Sequence, residues 1–123
     1  MTHSVLLVDD NRVIRQLLRR MFEETGFVCS ESENGEHAVS DAARIKPDLI
    51  VLDYSMPVMN GLEAAPLLKK MLPKTPIIMF TMYANEIVAK QALAAGVTAL
   101  VSKDQAGTQL IPKAESLLNS TST

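Results

Sequence analysis

Five short apolar runs, "SVLLVD", "FVCSES", "DLIVLD", "TPIIMFT" and "VTALVSK", recur along the 123-residue chain, each followed by a segment whose apolar residues fall at helical spacing. This alternation restricts the fold more than any other feature. A strand followed repeatedly by a helix reads as consecutive βαβ units, which form a parallel sheet with right-handed crossovers and helices on both faces. The first, third and fourth runs are the most continuously apolar, as strands buried on both faces must be, whereas "FVCSES" has the polar character of an edge.

Central first, third and fourth strands with an outer second strand predict the order 2-1-3-4-5, a doubly wound five-stranded parallel sheet of the flavodoxin-like α/β class. Local signals mark the helices between the strands. Asn11 caps a helix carrying Ile14, Leu17, Leu18, Met21 and Phe22, and Gly26 stops it. Asn34 and Gly35 open a second helix through Ala38, Val39, Ala42 and Ile45, which Pro47 ends. A third runs through Leu62, Leu67, Leu68 and Met71, a fourth from about Asn85 to Ala95 with Gly96 after it, and a fifth from near Thr108 to Leu118. Pro66 and Pro112 fall inside the third and fifth, where a proline removes a donor and crowds the preceding turn, so late starts or kinks are expected there.

Composition narrows the function. Twelve basic against fourteen acidic residues give a net charge of −2; without a basic stripe interleaved with aromatics, no nucleic-acid groove is expected. The apolar runs are far too short to cross a membrane, and acids stand where a signal peptide would continue its apolar region, so the expected location is the cytoplasm. Cys29 is the single cysteine, which excludes an intramolecular disulfide and suits a small buried side chain in a strand. His3 and His37 lack partners at metal-ligand spacing and read as surface residues.

In an open parallel sheet, ligands bind outside the C-terminal ends of the strands, where strand order reverses. The first strand ends in Asp9 and Asp10, the third in Asp53, the fourth in Thr81, and the fifth in Ser102 and Lys103. Three carboxylates brought together repel one another unless a cation lies among them, and the available donors are all oxygens. Mg²⁺ fits that set, because it takes few carboxylates and shares its remaining positions with water and phosphate oxygens. With Lys103 as a positive charge and Thr81 as a hydroxyl donor, the set meets the needs of phosphoryl transfer to a carboxylate nucleophile.

The motifs "VDD" (Val8 to Asp10), "LDYSMPVMNG" (Leu52 to Gly61), "FT" (Phe80, Thr81), "AAG" (Ala94 to Gly96) and "SK" (Ser102, Lys103) resemble, in order and spacing, the receiver domain of two-component response regulators. The resemblance covers essentially the whole chain, with the domain over 1–119 and a polar tail over 120–123. It implies that Asp53 is the phosphoacceptor, charged by a histidine kinase, a phosphotransfer protein or a small phosphodonor. Asp9, Asp10, Asp53 and the backbone carbonyl of Ser55 would hold Mg²⁺, Lys103 would pair with the phosphoryl oxygens, and Thr81 would move to hydrogen-bond them. A downstream protein would read the new state on the face of the fourth helix, fifth strand and fifth helix, the face that would also serve a homodimer. The family usually carries an aromatic residue three positions before the lysine and a proline directly after it; here Leu100 and Asp104 stand there. Tyr83 is a substitute for the aromatic or a gate to the phosphoryl group, and Ser55 and Tyr83 flank the route of a hydrolytic water.

Two other classes fit the same residues less well. A phosphatase with an aspartyl nucleophile usually carries D-x-D on one strand and a cap domain, whereas "YSM" follows Asp53 and no segment is large enough for a cap. A degenerate receiver that binds partners constitutively is opposed by the presence of every chemical position. The expected role is therefore a phosphorylation-activated switch rather than an enzyme with a separate substrate.

Overall fold

The structure, a computed structural model, describes residues 2–120. Strands and helices alternate throughout: β1 (Ser4–Val8), α1 (Arg12–Glu24), β2 (Val28–Ser32), α2 (Gly35–Ile45), β3 (Leu49–Asp53), α3 (Gly61–Met71), β4 (Ile77–Thr81), α4 (Glu86–Ala94), β5 (Ala99–Ser102) and α5 (Ala106–Ser120). The five strands form one parallel sheet in the order β2-β1-β3-β4-β5, as the apolar pattern predicts.

Side chains alternate across a strand, so each central strand feeds two cores. Val5, Leu7, Leu49, Val51, Ile78 and Phe80 face α1 and α5, where Leu18, Phe22, Leu110 and Ala114 meet them. Their neighbours Leu6, Val8, Ile50, Leu52, Ile77 and Met79 face the other layer, packed by Ala38 and Ala42 of α2, Ala64, Ala65 and Leu68 of α3, and Ala92 of α4. The small alanines let α2 and α3 lie close to the sheet. Phe22 and Phe27 meet edge to face with centroids 4.9 Å apart and close the α1 side.

The helix starts follow the capping residues. Asn11 accepts from the N–H groups of Val13 and Ile14, Asn34 from His37, and Asn85 from Val88. Asn60 and Glu63 form a reciprocal capping box at the start of α3. Gly26 (φ +91°) and Gly96 (φ +99°) take the left-handed conformation after α1 and α4. Before Pro47, Lys46 adopts φ +53° and caps α2, since the proline ring excludes a further helical residue ahead of it.

Three expectations are corrected. Leu17 and Leu67 share helical spacing with the core residues but are 50% and 45% exposed, because they lie at the margins of the stripes that Leu18 and Leu68 bury. Neither proline delays its helix: α3 and α5 contain Pro66 and Pro112 in their interiors. Both prolines are on exposed positions, so water can satisfy the carbonyl each leaves without a donor. Finally, α5 starts at Ala106, earlier than Thr108, after a 3₁₀ turn over Lys103–Gln105, and continues to Ser120. The remaining residues of the expected tail, 121–123, lie outside the described residues.

Candidate functional site

The C-terminal ends of β1, β3, β4 and β5 converge on a cleft of about 250 Å³ lined by Asp9, Asp10, Asp53, Ser55, Thr81, Tyr83 and Lys103. Parallel register brings them there: Asp53 pairs with Phe80, and Thr81 with Ser102, so the last residues of the strands reach one edge together. Asp9, Asp53 and Thr81 are buried, whereas Asp10 is exposed at the mouth. One carboxylate oxygen from each of Asp9, Asp10 and Asp53 lies within 4.8 Å of the others.

Lys103 reaches across the cleft. Its Nζ donates to Asp9 Oδ2 at 3.0 Å and lies 3.1 Å from Asp53 Oδ1, and it stands 5.6 Å from the Phe80 ring centroid. Asp9 Oδ1 accepts from the Asn11 N–H at 2.8 Å, which turns the chain from β1 into α1. Burial pushes the Asp53 carboxyl up from 3.8 to about 6, and the charge of Asp9 adds to this; Lys103 and the Ser55 N–H partly offset both. Burial also opposes the charge on Lys103, but the bond to Asp9 and the charges of Asp53 and Asp9 outweigh it, so its pKa is raised. The site therefore holds a firmly charged ammonium beside a carboxylate that the fold makes costly to ionise.

Thr81 Oγ1 accepts from the Tyr83 N–H at 2.9 Å, so the hydroxyl proton remains available to another acceptor. The Tyr83 ring is exposed and meets Tyr54 edge to face, with centroids 6.4 Å apart, beside the cleft. Leu100, half-buried, packs with the α4-side core, and Asp104 accepts a hydrogen bond from the Ser102 hydroxyl. Among the methionines near this edge, Met56 and Met79 belong to the core, whereas Met82 is exposed at the cleft. His37 is exposed and lies 3.3 Å from Glu33, away from the site; half-buried His3 packs its ring against Phe27.

The loop from β3 to α3 is held tightly. Gly61 donates to the Tyr54 carbonyl at 3.1 Å, and a Cβ added at Gly61 would stand 2.3 Å from the Asp53 carbonyl oxygen. Glycine at this position lets α3 approach the backbone of the central carboxylate. Val58, in the same loop, has φ +69°, and the Met59 N–H donates to the Pro57 carbonyl at 2.7 Å, a strained three-residue turn around a β-branched side chain.

Two participants escape a reading of the motifs: Arg15 on α1 and Glu31 on β2. Arg15 Nη1 donates to the Asp9 carbonyl at 2.6 Å, and its Nε lies 3.0 Å from Glu31 Oε1. The signal is weak in sequence, because an arginine on an amphipathic helix reads as a solvated residue and its partner is 16 positions away.

A doubly wound parallel sheet with an acid cluster and a lysine at its C-terminal edge defines a class of protein, and the comparisons agree with it. Residues 5–115 match the model of the response regulator receiver domain, and the chain belongs to that family. The chain is 38% identical over 103 residues to the chemotaxis protein CheY of Halobacterium salinarum, covering 84% of this chain and 86% of that protein. It is 44% identical over 106 residues to a protein-glutamate methylesterase/protein-glutamine glutaminase of Hahella chejuensis, covering 83% of this chain but 30% of the relative. Among solved structures, Vibrio cholerae CheY4 superposes with a TM-score of 0.89 at 26% identity, covering 95% of this chain and 99% of that one. The response regulator TrrA of Thermotoga maritima, described in complex with Mg²⁺-BeF, superposes with a TM-score of 0.85 at 31% identity, covering 94% and 98%. The fold is thus the receiver fold, and the chain is a receiver domain of the two-component and chemotaxis type. Among the described residues no helix is long and apolar enough to cross a membrane.

Proposed function

We propose that Asp53 accepts a phosphoryl group and that the chain works as a phosphorylation-activated switch rather than as an enzyme with a separate substrate. The observation that carries this reading is the clustering of the Asp9, Asp10 and Asp53 carboxylates within 4.8 Å, with Lys103 against Asp9 and Asp53. A carboxylate oxygen of Asp53 forms the new P–O bond in line with the bond that breaks, releasing imidazole from a phosphohistidine donor or acetate from acetyl phosphate. Lys103 is already beside Asp53 and offsets charge on the phosphoryl oxygens. Thr81 offers the hydroxyl proton that its bond from the Tyr83 N–H leaves unused.

The donor set suits Mg²⁺, being all oxygen with three carboxylates of which one is at the solvent edge. Asp9, Asp10, Asp53 and the Ser55 carbonyl would hold the ion. When bound, Mg²⁺ neutralises the clustered carboxylates and polarises the phosphoryl group. The phosphodonor is a histidine kinase, a phosphotransfer protein or a small acyl phosphate, and the site of action is the cytoplasm. The acyl phosphate carries about −1.5 to −2 charge beside Lys103 and Thr81, in place of the single charge of the carboxylate, and brings three acceptor oxygens, which draws the Thr81 loop inward and alters the face of α4, β5 and α5. That face would contact a downstream protein or a second copy of the chain. Ser55 and Tyr83, at the cleft, would set the lifetime of the acyl phosphate.

Intact-protein mass spectrometry after incubation with acetyl phosphate or phosphoramidate tests the reading. A single phosphoryl adduct that requires Mg²⁺ and is lost in Asp53→Asn is expected. If no adduct forms and beryllofluoride, a stable mimic of the acyl phosphate, does not bind either, the reading falls.

A further inference from the structure

Asp9 directly follows β1 and extends its pairing by one bond, from its N–H to the Ser32 carbonyl at 3.2 Å. Its own carbonyl takes its donor from Arg15 Nη1 at 2.6 Å. The arginine is held in turn: Nε lies 3.0 Å from Glu31 Oε1, and Arg19 Nε lies 2.7 Å from Glu31 Oε2 while Arg19 Nη2 donates to the Cys29 carbonyl at 3.1 Å. Glu31 is thus gripped at both oxygens by consecutive turns of α1. Burial works to raise the Glu31 pKa, but the hydrogen bonds and charges of Arg19 and Arg15 overcome it and hold the carboxylate ionised.

From this geometry we infer that Arg15, oriented by Glu31, is a positioning residue for the acid site. It fixes the peptide between Asp9 and Asp10, so that both carboxylates project toward Asp53. The inference rests on the metal-binding reading of those acids. A surface ion pair would contribute little and could be removed without consequence. Arg15 differs in that its side chain is only 14% exposed and its guanidinium bonds the backbone of the acid pair itself. It also takes the carbonyl and not the carboxylate, which leaves the Asp9 side chain to Asn11, Lys103 and an incoming cation. Partners that orient metal-binding residues from behind typically alter metal affinity by about 10–100-fold when removed.

Calorimetric titration of the full chain with Mg²⁺, without phosphodonor, tests this, with urea unfolding run on each variant. Arg15→Ala is expected to weaken Mg²⁺ binding by about tenfold or more, and Arg15→Lys, which keeps a charged donor, to recover part of the loss. Arg44→Ala, which removes the surface pair with Asp41, leaves the affinity unchanged. A role confined to stability would lower the unfolding free energy and leave the affinity of folded protein alone. Wild-type affinity in folded Arg15→Ala, or no recovery in Arg15→Lys, overturns the inference. If Arg15→Ala does not fold, Glu31→Gln carries the test, and unchanged Mg²⁺ affinity there overturns the role. Wild-type protein that binds no Mg²⁺, or an affinity that survives Asp10→Asn, removes the acid-site reading and this inference with it; a failure of the Arg15 variants alone leaves that reading standing.

Discussion

Replacing Asp53 with asparagine removes a carboxylate that the fold ionises at a cost. The group sits buried beside Asp9, and its pKa rises from 3.8 to about 6. Between those values the folded state keeps the proton that the unfolded chain has released, so stability falls as pH rises through the window. Each pH unit is worth about 1.4 kcal/mol, and the rise from 3.8 to about 6 corresponds to about 3 kcal/mol at full burial. The cleft opens to solvent at Asp10, and screening there reduces the figure to about 1–2 kcal/mol. Without divalent cations at pH 7.5, Asp53→Asn should therefore be more stable than wild type by about that amount, a rise in Tm of about 4–8 °C. The gain should fade between pH 6 and pH 4, where wild-type Asp53 becomes neutral in the folded state. Urea or thermal unfolding of both proteins in chelator across this range is the assay. A gain that is absent at pH 7.5, or equally large at pH 4, would refute the reasoning. Millimolar Mg²⁺ should shrink the gain, because an ion held by the acids stabilises wild type by ligand linkage and the variant less.

Other perturbations test the connection from Asp53 into α3. Gly61→Ala should lose about 2–3 kcal/mol in urea unfolding, since the new Cβ would meet the Asp53 carbonyl oxygen at 2.3 Å, and it should also slow phosphoryl uptake measured by mass spectrometry. Val58→Gly should gain about 1 kcal/mol by relieving the positive φ of a β-branched residue, even after the added freedom of the unfolded chain; a loss of stability would contradict the strain. Asn60→Ala, which removes one half of the capping box on α3, should cost about 1 kcal/mol by the same measurement.

Much of this molecule is legible in its sequence because the signals are local. An apolar run that lacks polar alternation must be buried on both sides, and three such runs identify the centre of the sheet; the more polar β2 is left for an edge. Asn11, Asn34 and Asn85 mark helix starts because a cap acts over two or three residues. The acids, Thr81 and Lys103 stand at strand ends in sequence, and parallel pairing brings all strand ends to one edge. What a residue does there depends on contacts that span the chain. Lys103 meets Asp9 across 94 positions, and only packing decides that it also meets Asp53. Helical spacing cannot separate Leu18 from Leu17, because a stripe's margin is set by the layer opposite. The prolines of α3 and α5 are tolerated because the fold turns them to solvent. The raised pKa of Asp53, the close approach of Gly61 and the Glu31–Arg15 hold on Asp9 belong to the tertiary structure alone, since each depends on dielectric, distance and orientation between elements that sequence spacing does not encode.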